Sequence, residues 1–329
     1  MGSLGMVGGH HSLTDPPLVS VAIGTKDRPL TLPLAVNSVL AQTYRNIEVW
    51  VGDDGSIPPA KLAPEAQADP RLRTFRVDPS IGIANLRNEM VARSSGSLIA
   101  FLDDDDEWLP WKLERQVAAM TQAGIRFAAM DCGYEWRDDH GARWRHIPDP
   151  NRDAYRTVLA QAILPPSCAV VRRDTYLALG GMEHELDRVE DWDLWIRLAA
   201  RYEIGVVPEV LVRRRRHIAP PALRLQAHLK ILERHGAEID AQPSKERRRI
   251  LAHHDLFIGQ CLAEMGDRPR ARDHLLRSWR RDPGLASAPM HLVRTFVGES
   301  AFGWVVGWGW RLVTATLRLA GRPPLARRW

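Results

Sequence analysis

Leu98-Ile99-Ala100-Phe101-Leu102 runs straight into Asp103-Asp104-Asp105-Asp106 and then Glu107-Trp108-Leu109-Pro110. Five apolar residues closed by turn-formers predict a short buried strand. That strand delivers four carboxylates into the turn that ends it. Packed carboxylates repel one another, so a purely structural role disfavours the cluster. A divalent cation relieves the repulsion, and hard oxygen donors suit Mg²⁺ or Mn²⁺. Taken alone, the run reads equally well as a solvated acidic turn. Its surroundings decide.

Upstream, Leu18 to Ile23 is a β-branched run ending at Gly24 and predicts a buried strand. Leu30 to Ala41 predicts a helix. Ile47-Glu48-Val49-Trp50-Val51 predicts a second strand, ending at Gly52-Asp53-Asp54-Gly55-Ser56. Pro58 to Pro70 is helix or loop, Leu72 to Val77 a third strand, Ala84 to Ser94 a helix and Trp111 to Gln122 another. Strands alternating with helices imply βαβ units and a mostly parallel sheet. Ligands of such sheets bind beyond the carboxyl ends of the strands. Asp53-Asp54 and Asp103 to Asp106 both fall at such ends, which predicts one shared crevice.

Further on, Phe127 to Cys132, Ala169 to Arg172 and Gly205 to Pro208 predict short strands, and Trp192 to Tyr202 a helix. Pro220-Pro221 marks a boundary. Leu223 to His235, Lys245 to Met265, Pro269 to Arg281 and Pro289 to Leu319 then read as helices. The pair around Ala252 to Arg281 has the cadence of one tetratricopeptide-like hairpin.

At 329 residues the chain holds one large domain with an appendage, or two domains. Cys132, Cys168 and Cys261 lie far apart without CxxC spacing, which argues against a zinc site or disulfide framework and fits a reducing compartment. Met1 to Asp15 has no signal-peptide core, so no secretion signal is read. The net charge is +5. The acid clusters lie in the first half, while the second half carries Arg213 to Arg216, Arg247 to Arg249, Arg280-Arg281 and Arg327-Arg328. Such runs suit an anionic membrane surface or a polyphosphate substrate. No zinc-finger, RRM or bZIP pattern accompanies them, so no nucleic-acid partner is expected.

The motifs from Leu18 to His217 resemble those of the family 2 glycosyltransferases, which have the GT-A fold. The matching stretches are Val19 to Arg28, Ser38 to Tyr44, Ile47 to Ser56, Gly82 to Asn88 and Phe101 to Asp106. Gly180-Gly181-Met182, Glu190 to Leu198 and Arg214 to His217 complete the series, in family order. The resemblance implies an α/β protein with a GT-A, Rossmann-like, mostly parallel sheet flanked by helices and a helical C-terminal region. It divides the chain into a tail (1–15), a GT-A domain (16–219) and a helical region (220–329). It further implies inverting transfer of a sugar from a nucleotide diphospho-sugar to an acceptor hydroxyl.

The resemblance also distributes roles. Asp103 to Asp106 matches the DxD motif, with Asp105 as the metal ligand, Asp103 and Asp104 on the ribose or diphosphate, and Asp106 as scaffolding. Asp54, with Asp53 beside it, would accept from a nucleobase imide N–H. The usual Pro and aromatic of the first motif are replaced by Gly24 and Lys26 beside Thr25, and Lys26 can reach a phosphate instead. A UDP-sugar is favoured, with GDP- and dTDP-sugars as alternatives. Arg87-Asn88 either faces the diphosphate or braces the acidic loop. Glu190-Asp191 opens a helix whose Trp192, Trp195, Ile196 and Ala199 share an apolar face. Asp191 is the implied general base, Glu190 the alternative, although acids at a helix start also serve as caps. His217 either completes the metal shell or lies in a basic loop, and Arg214 to Arg216 could clamp the diphosphate.

Phe302 to Trp310 is rich in Trp and Gly, and Arg311 and Arg318 follow it. The apolar stretch is shorter than the roughly 20 residues of a spanning helix. It suits an interfacial helix on an anionic leaflet or one packed on the protein. No QxxRW motif or transmembrane cluster appears, so a non-processive enzyme is expected, cytoplasmic or peripheral on the inner face of the membrane. Its acceptor would be a glycan, a lipid-linked glycan or a small molecule. A nucleotidyltransferase would need a longer Gly-rich loop after the first strand than Gly24 to Arg28. A non-catalytic sugar-binding scaffold would not need Asp105 and Asp191.

Overall fold

A computed structural model describes residues 16–137, 143–186, 188–215, 219–285 and 287–296. The described chain separates into two units. One runs to Val158 and resumes from Ala162 to Ile218, and the other takes Leu159–Gln161 and resumes at Ala219.

The first unit opens with β1 (Val19–Thr25), α1 (Leu32–Leu40), β2 (Ile47–Asp54), α2 (Pro64–Gln67), β3 (Leu72–Val77), α3 (Ile83–Arg93) and β4 (Leu98–Asp103). These follow the alternation read from the sequence. Every residue of β1 is buried, as expected of a central parallel strand covered on both faces. Val19, Val21 and Ile23 pack with Leu32, Val36 and Val39 of α1. On the opposite face, Gly24 lies under α3. A Cβ there would sit 2.6 Å from Ile83 Cδ1 and 3.0 Å from Leu86 Cδ2, so the helix rests directly on the strand backbone.

Next come β5 (Glu107–Trp108), α4 (Lys112–Gln122), β6 (Phe127–Arg137), β7 (Arg143–His146), α5 (Ala154–Ala160), β8 (Val170–Arg172), α6 (Arg173–Ala178), α7 (Glu190–Ala199) and β9 (Glu203–Arg215). The sheet order is β3-β2-β1-β4-β8-β6-β9-β5, with β7 beside β6. Among the described strands, β1, β2, β3 and β4 are parallel. β8 is antiparallel to both β4 and β6, and β6 is parallel to β9. The expected mostly parallel sheet is therefore parallel in its first half and mixed in its second. β9 is far longer than the expected Gly205 to Pro208. Its final arginines are strand residues rather than a loop.

The second unit contains α8 (Pro221–Asp240), α9 (Ser244–Glu264) and α10 (Arg268–Arg281). A further helix, α11, covers 287–296. Ile258 and Leu262 of α9 pack with Ala271 of α10, and Leu225 and Leu232 of α8 join them. Asp267 caps α10 by accepting from the Arg270 N–H. Among the described residues, no helix is long and apolar enough to cross a membrane. The Trp- and Gly-rich segment from Phe302 lies outside the described residues.

Candidate active site

Strand register assembles the site. Gly24 pairs with both Gly52 and Asp103, and Thr25 pairs with Asp53. The carboxyl ends of β2, β1 and β4 are therefore neighbours, each about 4.8 Å from the next. This brings Asp53-Asp54 and the acid run to one edge of the sheet.

Within the acid run each carboxylate has different company. Asp103 Oδ1 accepts from Arg87 Nη2 at 2.6 Å, and its backbone N–H donates to Ser167 Oγ at 3.1 Å. Thr25 Oγ1 donates to Asp104 Oδ2 at 2.7 Å. Burial pushes the Asp104 carboxyl up to about 6, against the Thr25 hydrogen bond and with help from Asp105 and Asp103. Asp105 is half-buried, 3.8 Å from Arg28 Nη1. Asp106 is buried, accepting from Arg214 Nε at 3.1 Å and the Arg215 N–H at 3.0 Å. Burial pushes it up to about 7 although Arg214 opposes the shift. Asp106 thus ties the acidic turn to β9, and Arg214 is committed to it.

Arg87 joins the acid run to α7. Its Nη1 donates to Glu190 Oε1 at 3.2 Å while Nη2 holds Asp103. Only 7% of Arg87 is exposed. Burial disfavours its charge, but Asp103 and Glu190 outweigh that, and its pKa is raised. Glu190 is buried, and its Oε2 has no hydrogen-bond partner among the described residues. Asp191 is half-buried, and its Oδ1 accepts from the Trp192 N–H at 2.7 Å. Burial and then the Glu190 charge push the Asp191 carboxyl up to about 7, with Arg87 opposing.

Asn88 turns away from this group. Its Nδ2 donates to the Met182 carbonyl at 2.7 Å, and its Oδ1 accepts from the Met182 N–H at 3.0 Å and Tyr176 Oη at 2.5 Å. It clamps the Gly180-Gly181-Met182 turn. Gly181 has φ +73°, and a Cβ there would lie 2.4 Å from Asn88 Oδ1. Gly181→Ala is therefore expected to destabilise the protein by about 1–3 kcal/mol. An unchanged urea midpoint would contradict this.

Asp53 accepts from the Ser56 and Ala60 N–H groups at 2.8 and 3.0 Å and from Arg76 Nη1 at 2.8 Å. These bonds hold its carboxyl below the usual range against the effect of burial. Asp54 accepts from Ser80 Oγ at 2.6 Å and from the Ile81 and Gly82 N–H groups at 2.7 and 3.1 Å. Lys26 is exposed. His217 lies outside the described residues. Trp108 is buried, its indole N–H donating to the Ser167 carbonyl at 2.8 Å. Sequence reasoning missed Ser167 and Arg28. Ser167 supports both Asp103 and Trp108, and its only sequence mark is the Pro165-Pro166 pair before it.

A family model described as Glycosyl transferase family 2 matches residues 20–179. The Escherichia coli UDP-Glc:alpha-D-GlcNAc-diphosphoundecaprenol beta-1,3-glucosyltransferase WfgD is 29% identical over 193 residues, covering 59% of this chain and 74% of WfgD. The Erwinia amylovora amylovoran biosynthesis glycosyltransferase AmsE is 24% identical over 199 residues, with the same coverage of 59% and 74%. Among solved structures, S. aureus TarS 1-349 in complex with UDP-GlcNAc is 15% identical with a TM-score of 0.53, covering 84% of this chain and 89% of that one. The Pyrobaculum calidifontis mannosyltransferase PcManGT, in complex with GDP-Man and Mn²⁺, is 16% identical with a TM-score of 0.53, covering 91% and 81%. At these identities the structural likeness speaks to the fold, which is GT-A. Fold, family model and sequence relatives agree: residues 20–179 form a family 2 glycosyltransferase domain, and the chain is an enzyme that transfers sugar from a nucleotide-sugar donor.

Proposed function

We propose that this glycosyltransferase is inverting and non-processive, with Asp191 as general base and Mg²⁺ or Mn²⁺ held at Asp105. The observation that carries this reading is the Arg87 bridge, which ties the acid run to Glu190-Asp191 at 2.6 and 3.2 Å. Donor-side and acceptor-side carboxylates then share one site. Arg87 engages Glu190, while Asp191 stays half-exposed with a carboxyl near 7, suited to taking a hydroxyl proton at neutral pH.

The donor set fits a hard divalent cation. Crowded carboxylates with Asp104 pushed up to about 6 are what a cation relieves. Among the described residues no three His, Cys, Asp or Glu side chains form a ready cage. That suits an ion bound by one or two carboxylates and the donor phosphates, as Mg²⁺ often is. Bound there, the cation would supply positive charge to the departing diphosphate. Thr25 orients Asp104 toward the ribose side, and exposed Lys26 reaches the phosphates. Asp53 and Asp54 serve the nucleobase side by holding the loops that border it, because their oxygens are already engaged. Arg87 and Asn88 are positioning residues.

A UDP-sugar is the favoured donor, consistent with the UDP-Glc printed for WfgD. The same relative supports a lipid-linked glycan acceptor. Work at the cytoplasmic face of the membrane would suit that substrate. A thermal-shift panel of UDP-, GDP- and dTDP-sugars with Mn²⁺ tests the donor. Stabilisation is expected from the UDP series, and stabilisation by GDP-sugars alone would replace that assignment. Asp105→Ala should abolish Mn²⁺-dependent nucleotide binding in calorimetry, and unchanged binding would remove the metal role.

A further inference from the structure

The opposite edge of the same sheet carries a second concavity. β6 runs in the direction of β4, because β8 is antiparallel to both, and β9 runs with β6. Phe127 at the start of β6 and Glu203 to Val206 at the start of β9 therefore lie at the amino-terminal edge, away from Asp54 and Asp103. There they line a groove of about 790 Å³. Gln122, Arg126, Asn151, Arg152, Tyr155 and Tyr202 supply its polar and aromatic wall. Every lining residue belongs to the first unit. α7 separates this groove from Asp191, since Asp191 is in the helix's first turn and Tyr202 follows its last. Ten helical residues span about 15 Å.

The lining gives the chemistry of a ligand. The charges of the wall are balanced. Arg152 pairs with Asp131 at 2.7 Å, Arg126 with Glu203 at 2.8 Å and Asp153 with Arg156 at 3.1 Å. No net cation remains for a phosphate or carboxylate. What remains is aromatic surface beside planar amide, guanidinium and carboxylate groups, able both to donate and to accept. Pyranose rings present apolar C–H faces to aromatic surfaces and hydroxyls to such groups. The volume lies within the range of small-molecule pockets and is large for a single sugar ring.

We propose that this groove is a second carbohydrate site, holding an uncharged oligosaccharide on the far side of α7 from the catalytic carboxylates. It would retain a stretch of glycan apart from the reacting hydroxyl and so favour longer acceptors.

The test is binding to the full chain, read by calorimetry and saturation-transfer NMR. The probes are maltotetraose, cellotetraose, mannotetraose and chitotetraose, each up to about 10 mM. At least one should bind saturably, should be unaffected by inorganic phosphate or by saturating UDP, and should bind about tenfold more weakly to Tyr202→Ala. Tyr202 is 41% exposed, so its truncation does not endanger the fold. Arg152→Ala would strand buried Asp131 and is not used. Absence of binding by all four, equal binding by Tyr202→Ala, or displacement by phosphate or UDP would each overturn the proposal. Binding is read without turnover, so failure at the donor site and failure here are distinguishable.

Discussion

Asp191→Asn is expected to lower kcat about a hundred- to ten-thousand-fold while leaving Mn²⁺-dependent UDP binding intact. The amide keeps the side chain's shape and can still accept from the Trp192 N–H, but it cannot take a proton from an acceptor hydroxyl. In the unsubstituted enzyme the rate should rise with pH through about 7, where the Asp191 carboxyl ionises, and then level off. Stability has the opposite sign. The folded chain holds this proton up to about 7, whereas the unfolded chain releases it near 3.8. The folded state therefore binds more protons between those values, and stability falls as pH rises through the window. Asp191→Asn removes that penalty and should be more stable than the parent enzyme above pH 7. Loss of activity with a raised urea midpoint separates a base from a merely structural carboxylate. Wild-type turnover in Asp191→Asn would end the assignment.

The first half of the sheet was readable because each element obeys one period. β1 and β4 are uninterrupted apolar runs, and α1, α3 and α4 alternate with strands at short spacing. The second half was not, because its strands are stabilised by partners distant in sequence. β9 ends in Arg213-Arg214-Arg215, which reads as a basic loop. Yet Arg213 pairs with Glu107 across strands, and Arg214 is held by Asp106, 108 positions earlier. α6, six residues long and starting directly after β8, offers too few residues for a period. β7 is a four-residue partner of β6 that makes sense only as part of a hairpin.

In the site, sequence order revealed which carboxylates gather but not how they divide the work. Four consecutive aspartates look equivalent on paper. Their differences come from Thr25, Arg28, Arg87 and Arg214, which arrive from three other segments. The resemblance offered Arg87 as either a diphosphate contact or a brace for the acidic loop. Its burial between Asp103 and Glu190 favours the brace.

That brace should be the most sensitive position for folding. Arg87→Met leaves Asp103 and buried Glu190 facing each other without the cation between them. Removing one partner from a buried ion pair costs about 3–5 kcal/mol. The loss should appear as a lowered urea midpoint with an unchanged slope. Arg87→Lys is the informative companion. A single ammonium lacks the fork that reaches Asp103 at 2.6 Å and Glu190 at 3.2 Å together, so it should recover only part of the stability. It also supplies a readout that a purely structural brace would not move. Arg87 is one of the charges holding the Asp191 carboxyl down. A displaced cation should therefore carry the rising limb of the pH–rate profile above 7. If Arg87→Lys unfolds at the parent midpoint and its profile does not shift, Arg87 is neither brace nor electrostatic partner, and the link between the acid run and the base must be sought elsewhere.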